Sequence, residues 1–247
     1  MPSLRLLLMG YGRMGRMVEH VALQRGHSIV GIKSDRSEPP DVWLQKFGPA
    51  DVVIEFTSPD SAFDNIAACF RAGIPVVSGT TGWQKRLSEA EALCRAHQGA
   101  MIASSNFSLG VHLFFELNRW LARRMIKFPE YRPVILESHH TGKKDMPSGT
   151  AVQLAQDLIQ ISGQKGWQLN SAEQEDLLSV FSSRVPGEVG RHQVIWTSQV
   201  DRLEIRHHAF SREGFALGAV MAAEFLAGRQ GMYSMRDVLG FTEDSSE

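Results

Sequence analysis

Residues 4–15 read Leu4-Arg5-Leu6-Leu7-Leu8-Met9-Gly10-Tyr11-Gly12-Arg13-Met14-Gly15, a short apolar run leading directly into G-x-G-x-x-G. Beyond it Met14, Met17, Val18, Val21 and Ala22 recur at helical spacing, and Gly26 suits a C-cap. Ile29 to Ile32 reads as the next strand, and Asp35 stands 20 residues beyond Gly15. A lone glycine motif is weak evidence. Strand, glycine turn, helix, strand and acidic residue in this order are what a dinucleotide-binding unit requires. The glycines let the backbone turn tightly and approach a pyrophosphate, whose charge sits at the helix N-terminus. A carboxylate at Asp35 would take the ribose 2′-hydroxyl of NADH. The adjacent Arg36 could hold the 2′-phosphate of NADPH, so the pair suggests tolerance of both cofactors.

Working outward, residues 37–50 hold three prolines and read as a connection with at most one helical turn. Asp51 to Phe56 is a buried strand, and Ser58-Pro59-Asp60 opens a helix that ends at Gly73. Ile74 to Val77 is a further strand, running into Ser78-Gly79-Thr80-Thr81-Gly82. After a helix from about Gln84 to His97, the strand Ala100 to Ala103 leads into Ser104-Ser105-Asn106-Phe107. Small polar residues just past strand ends are placed to touch a cofactor, and the repeated alternation predicts a parallel, doubly wound sheet.

A long helix over Val111 to Met125 and a strand over Val134 to Glu137 come next. They precede Ser138-His139-His140-Thr141-Gly142-Lys143-Lys144-Asp145-Met146-Pro147-Ser148-Gly149-Thr150. Histidine exchanges protons near neutral pH, a lysine beside it can donate a proton or hold an anion, and N–H groups at Gly149 and Thr150 would open a helix as a carboxylate site. Neighbouring residues on a strand point to opposite faces, so His139 and His140 share a pocket only where the strand has ended. No metal site is expected: the histidines are adjacent, no cysteine is near, and two lysines would repel the ion. Residues 162–182 are polar and aperiodic and are expected to form a surface excursion. His192 to Thr197 and Leu203 to Ala209 read as an antiparallel pair, and Phe215 to Leu226 as a buried helix. The shift from alternation to strands predicts a second, α+β domain with a mainly antiparallel or mixed sheet.

Composition bounds the function. The 247 residues carry a net charge of -1, which excludes nucleic-acid binding by bulk charge. No apolar run reaches the roughly 18–20 residues of a membrane span, and Leu6 to Met9 is too short for a signal-peptide core. Two cysteines, Cys69 and Cys94, make no disulfide framework. The expectation is a soluble cytoplasmic protein whose partners are small molecules, not nucleic acid or membrane.

The chain resembles the dihydrodipicolinate reductases, more fully 4-hydroxy-tetrahydrodipicolinate reductases, of bacterial lysine and diaminopimelate synthesis. The resemblance rests on GYGRMGR at 10–16, IEFTSP at 54–59, GTTG at 79–82, SNFSLGV at 105–111, ESHHTGKKDMPSGTA at 137–151, RHHAFSREGFALGAV at 206–220 and MRDVL at 235–239. Glu55 and Met146 stand where many members have aspartate and alanine. The resemblance implies a dinucleotide-binding domain over 1–106 and 214–247, and a substrate-binding and oligomerisation domain over 107–213, assembled as a homotetramer. NADH or NADPH would lie along Gly10, Tyr11, Gly12, Arg13, Met14 and Gly15, with Asp35 and Arg36 at the ribose. Gly79, Thr80, Thr81, Ser104, Ser105, Asn106 and Phe107 would flank the nicotinamide. His139 would move the catalytic proton, Lys143 would be a second donor, and His140, Gly149 and Thr150 would hold the carboxylates of a cyclic imine. Two other readings use parts of the pattern: a dinucleotide-binding regulator without catalysis, and a different two-domain dehydrogenase. The first need not keep the His139/Lys143 pair. The second would lack the Pro147-Ser148-Gly149-Thr150 turn.

Overall fold

Leu6, Leu7, Leu8 and Met9 are all buried, so the strand they form is covered on both faces. That pattern marks the centre of a parallel sheet. In the computed structural model, which describes residues 2–241 apart from 172, 173 and 175, the elements run as follows. They begin β1 (Arg5–Met9), α1 (Arg13–Gln24), β2 (Ser28–Lys33), α2 (Pro40–Leu44), β3 (Val52–Glu55), α3 (Pro59–Arg71) and β4 (Val76–Ser78). A 3-10 turn (Gln84–Arg86) leads into α4 (Leu87–Ala96), then β5 (Ala100–Ala103), α5 (Leu109–Met125), β6 (Arg132–His139) and α6 (Gly149–Ser162). The chain continues through β7 (Gly166–Leu169), β8 (Leu177–Arg184), β9 (Gly190–Thr197), β10 (Arg202–Ala209), α7 (Glu213–Leu226), β11 (Gly231–Tyr233) and α8 (Met235–Val238).

The chain divides into two compact units, Met1–Leu109 with Arg212–Glu247, and Gly110–Ser211. Residues 242–247, at the end of the expected first domain, lie outside the described residues. The first unit holds a six-stranded sheet in the order β11-β5-β4-β3-β1-β2, with every pairing parallel. The order reverses beside β1, so the glycine turn that follows it lies at the topological switch point. Helices α1 and α7 bury one face through Val18, Ala219, Val220 and Ala223. Helices α3 and α4 bury the other through Ile66, Phe70 and Cys94. This is the doubly wound Rossmann arrangement that the alternation predicts. The returning strand β11 carried no sequence signal of its own, since Gly231, Met232 and Tyr233 are too few to show a period.

Close approach of α7 to the loop after β5 depends on Gly218. A Cβ there would sit 1.7 Å from the Phe107 carbonyl oxygen. Arg25 and His27, at the end of α1, both reach Glu224 on α7, the guanidinium at 2.7 and 2.8 Å and His27 Nε2 at 2.8 Å. The Leu4 N–H donates to His27 Nδ1, so Nε2 carries the proton that Glu224 accepts.

In the second unit a mixed five-stranded sheet runs β10-β9-β6-β8-β7. Strands β6, β8 and β7 are mutually parallel, while β9 is antiparallel to β6 and to β10. Ile135, Val180, Val194 and Trp196 pack with Phe114 and Leu121 of α5 and with Leu154 and Leu158 of α6. The antiparallel β9–β10 pair is as expected. The surface excursion expected over 162–182 is not what forms among the described residues there: β7 and most of β8, Leu177 to Ser182, belong to this sheet. Leu178 and Val180 are fully buried, but Ser179 and Gln168 alternate with apolar residues over runs too short to show a period.

Gly218→Ala is expected to lower the melting temperature of the first unit. Overpacking costs about 1–3 kcal/mol, and each kcal/mol shifts a domain of this size by roughly 2–4 °C. An unchanged circular-dichroism melt would contradict the close approach.

Candidate active site

The glycine turn is built on steric need at two of its three glycines and not at the third. Gly10 has φ +91°, and a Cβ there would stand 1.9 Å from the Phe56 carbonyl oxygen. A Cβ on Gly15 would stand 2.1 Å from the Gly10 oxygen. At Gly12 a Cβ would meet nothing of the protein within 4 Å. Space kept open there, beside the N-terminus of α1, fits a dinucleotide pyrophosphate drawn against the backbone.

Next to this turn Arg13, Met14, Gly79, Ser105, Asn106 and Phe107 line one cavity of about 420 Å³, together with Phe56, Arg212 and Phe215. The last three lie within IEFTSP and RHHAFSREGFALGAV but were not singled out as site residues. Thr81 and Ser104 line a different cavity with Trp83 and Tyr233. The Thr80 hydroxyl is turned inward, accepting from the Thr57 N–H at 2.8 Å and donating to Glu55 at 2.7 Å. Any contact of Thr80 with a cofactor therefore falls to its backbone. Glu55 has no exposure and also accepts from Ser78 Oγ at 2.5 Å and the Thr57 N–H at 2.9 Å. It thereby ties the ends of β3 and β4 together. Tyr11 donates its hydroxyl proton to Glu19 and lies under Arg16.

Asp35 and Arg36 follow β2 as exposed groups. Asp35 accepts from Ser37 N–H at 2.9 Å and Ser37 Oγ at 2.5 Å, and these bonds hold its carboxyl below the usual range. Arg36 donates to Ser58 Oγ at the start of α3.

In the second unit β6 runs two residues further than the sequence reading placed it. His139 is its last residue, and His140 enters the following turn, where its carbonyl accepts from the Lys143 N–H at 3.1 Å. Two-residue periodicity puts Glu137 and His139 on one face. The Glu137 side chain has no exposure, and it accepts from His139 Nδ1, Ser182 Oγ and, at 3.1 Å, Arg184 Nη1. Burial alone would raise its carboxyl. The bonds from His139, Ser182 and Arg184 outweigh that and hold it at about 2. Across the sheet, register sets His192 opposite Glu137, and its ring meets that of His139 edge to face at 5.0 Å. His192 is bonded to Ser148 Oγ at 2.9 Å, and burial, then the neighbouring His139, pushes it down to about 3.

Glu137, His139 and His192 bring one ligand atom each within 4.8 Å of one another. The expectation of no metal rested on His139 and His140, which is not the pairing that forms. Here the carboxylate is engaged by Arg184 and Ser182, and a cation would have to compete with that guanidinium.

Ser148 caps α6, accepting from the Ala151 N–H at 3.2 Å, which puts Gly149 and Thr150 in the first turn of the helix. Lys143 Nζ is 2.9 Å from Asp145. Burial raises the Asp145 carboxyl, but Lys143 and the backbone N–H groups at Asp145 and Gly149 bring it below the usual range. Arg184 also donates to the carbonyls of Lys143 at 3.3 Å and Asp145 at 2.5 Å, pinning the loop to β8. Sequence reading missed Glu137, Arg184 and His192. The E-x-H spacing on a strand was a usable signal for Glu137, whereas Arg184 and His192 arrive through pairings between strands distant in sequence.

A glycine turn at a switch point, in a chain whose other unit carries a lysine and a buried, carboxylate-bound histidine, fits the class of dinucleotide-dependent oxidoreductases. Comparison narrows the class. The N-terminal family of dihydrodipicolinate reductase matches residues 4–107 and its C-terminal family residues 110–239. The 4-hydroxy-tetrahydrodipicolinate reductase of Christiangramia forsetii is 46% identical over 237 residues, covering 96% of this chain and 98% of the relative. That of Archaeoglobus fulgidus is 34% identical over 256 residues, covering 92% and 96%. The chain belongs to the dihydrodipicolinate reductase family and is an NAD(P)H-dependent oxidoreductase. The fold is shared with the dipicolinate-bound dihydrodipicolinate reductase of Paenisporosarcina sp. TG-14, at a TM-score of 0.74 and 19% identity over 94% of this chain and 98% of that one. Among the described residues no helix is long and apolar enough to cross a membrane.

Gly12→Ala is expected to leave the melting temperature unchanged and to weaken NADH binding tenfold or more, about 1.4 kcal/mol. A thermal melt checks the first half and calorimetric titration the second. Unchanged affinity would remove the turn from the cofactor site.

Proposed function

We propose that this enzyme reduces 4-hydroxy-tetrahydrodipicolinate to tetrahydrodipicolinate, adding one hydride and one proton and releasing one water, in lysine and diaminopimelate biosynthesis. The observation that carries the reading is the second unit's loop. It sets a histidine bound to a buried carboxylate, a lysine and a capped helix N-terminus within a single 12-residue stretch, His139 to Thr150.

The nicotinamide cofactor, when bound, supplies the hydride. On this reading Gly10, Gly12 and Gly15 admit its pyrophosphate to the N-terminus of α1, and Arg13, Met14, Gly79, Ser105, Asn106 and Phe107 shape the cavity beside it. Asp35 and Arg36 face the ribose, with Thr81 and Ser104 at the periphery of the nicotinamide side. His140, Gly149 and Thr150 take the two carboxylates, as a cation-assisted helix terminus favours. Lys143 now rests on Asp145 and would exchange that carboxylate for the substrate's. His139 moves the proton at Nε2, because Nδ1 is committed to Glu137, and Lys143 is the second donor. The first unit is the dinucleotide domain. The second carries substrate binding and the contacts of a homotetramer, supported by the sheet face opposite α5 and α6, where Leu136 and Phe181 stand among Ser138, Ser183 and Gln193. The enzyme works in the cytoplasm, where its cofactor and substrate are made.

The test is oxidation of NADH, and separately NADPH, with substrate generated in place by a dihydrodipicolinate synthase from pyruvate and aspartate semialdehyde. Synthase-dependent oxidation supports the reading. Oxidation with semialdehyde alone would favour another dehydrogenase, and none with either cofactor, from folded protein that binds NADH, a non-catalytic binder.

In that assay His139→Gln is expected to lower turnover roughly 10²- to 10⁴-fold with NADH affinity unchanged. Near-normal turnover would take His139 out of the mechanism. Arg36→Ala is expected to raise KM for NADPH more than for NADH, since the guanidinium meets only the 2′-phosphate. Equal loss for both would contradict that contact.

A further inference from the structure

We propose that Glu137 is a positioning residue for the reaction: by taking the Nδ1 proton of His139 it fixes the imidazole so that only Nε2 works on the substrate. The inference rests on the reading of His139 as the proton-handling group.

An ionised carboxylate only accepts hydrogen bonds, so its bond with His139 Nδ1 requires the proton to be on that nitrogen. The neutral ring is thereby held in the Nδ1–H tautomer with Nε2 as its base. When the ring is protonated, Nε2–H is the acid. Glu137 is kept in place for this task by Ser182 and Arg184, both on the adjacent β8, and not by solvent. The ring has little freedom to turn. On its Nε2 edge lies Gly190, where a Cβ would come within 3.1 Å of Nε2 and 3.2 Å of Cδ2. The His192 ring meets its edge from β9.

The charged and titratable groups around the pair are Arg184 on β8, His192 on β9, His207 beside it on β10, and Lys143 in the loop with its partner Asp145. Removing the Glu137 charge takes from His139 the carboxylate bonded to its Nδ1. The protonated ring then loses a bonded counter-charge.

The experiment has two arms. In the first, wild-type enzyme labelled with 15N-histidine is examined by long-range proton–nitrogen correlation, the His139 signals being those missing from His139→Gln. The Nδ1–H tautomer is expected, and an Nε2–H tautomer overturns the proposal without any change at Glu137. In the second, pH–rate profiles are recorded for Glu137→Gln, Glu137→Asp, His139→Gln and the Glu137→Gln/His139→Gln double variant. Glu137→Gln is expected to cut kcat roughly 10- to 100-fold, within what acid–base catalysis supplies. KM for NADH should stay unchanged, and the pH limb that His139→Gln abolishes should move to lower pH. Glu137→Asp should recover part of the rate, and the double variant should be no slower than His139→Gln. A Glu137→Gln enzyme with the wild-type limb, or losses that multiply in the double variant, would show that Glu137 does not act through His139. Normal turnover in His139→Gln removes the role of His139 on which this proposal rests, whereas normal turnover in Glu137→Gln beside a slow His139→Gln removes this proposal alone.

Discussion

A carboxylate in the interior of a sheet must find donors or give up its charge, and Glu137 has found three. Its side chain has no contact with solvent, yet its acidity is raised. Each donor ties Glu137 to a particular part of the second unit. His139 ends β6, Ser182 and Arg184 close β8, and Arg184 continues to the carbonyls of the loop between β6 and α6. The loop's far end is fixed from the other side, where His192 on β9 bonds the capping residue of α6. The loop that carries His140, Lys143, Gly149 and Thr150 is therefore held at both ends by one buried polar network.

The first unit solves a different problem, that of bringing backbone close to a large anion. Its solution is absence of side chain. Gly10 and Gly15 lack Cβ atoms because Phe56 and the turn itself occupy those positions, and Gly12 lacks one although the protein leaves room for it. Around the turn, strand ends are tied by Glu55 through Ser78, Thr57 and Thr80. Hydroxyls that look free in the sequence are thus already in use within the protein.

What the sequence disclosed follows from how local each signal is. The parallel sheet was legible because β1 to β5 are short apolar runs, and the helices after β1 and β3 carry their own 3.6-residue period. Gly26 and Gly73 mark helix ends by adopting positive φ. The polar loop from His139 to Thr150 stood out because its residues are consecutive. Strands β7 and β8 were not, since Gln168 and Ser179 break their apolar pattern and their burial comes from α5 and α6. His192 and Arg184 were also beyond reach, because they meet Glu137 only through the register of strands distant in sequence. Thr80 shows the opposite limit: its residue type invited a ligand role, and Glu55 had already claimed its hydroxyl.

The central claim is that a hydride passes from a nicotinamide dinucleotide to a cyclic dicarboxylate. It is tested most directly by supplying NADH that carries deuterium at the reactive nicotinamide carbon and analysing the product by mass spectrometry. The account predicts tetrahydrodipicolinate carrying the deuteron, in proportion to NADH consumed. Oxidation of NADH with an unlabelled product would contradict it.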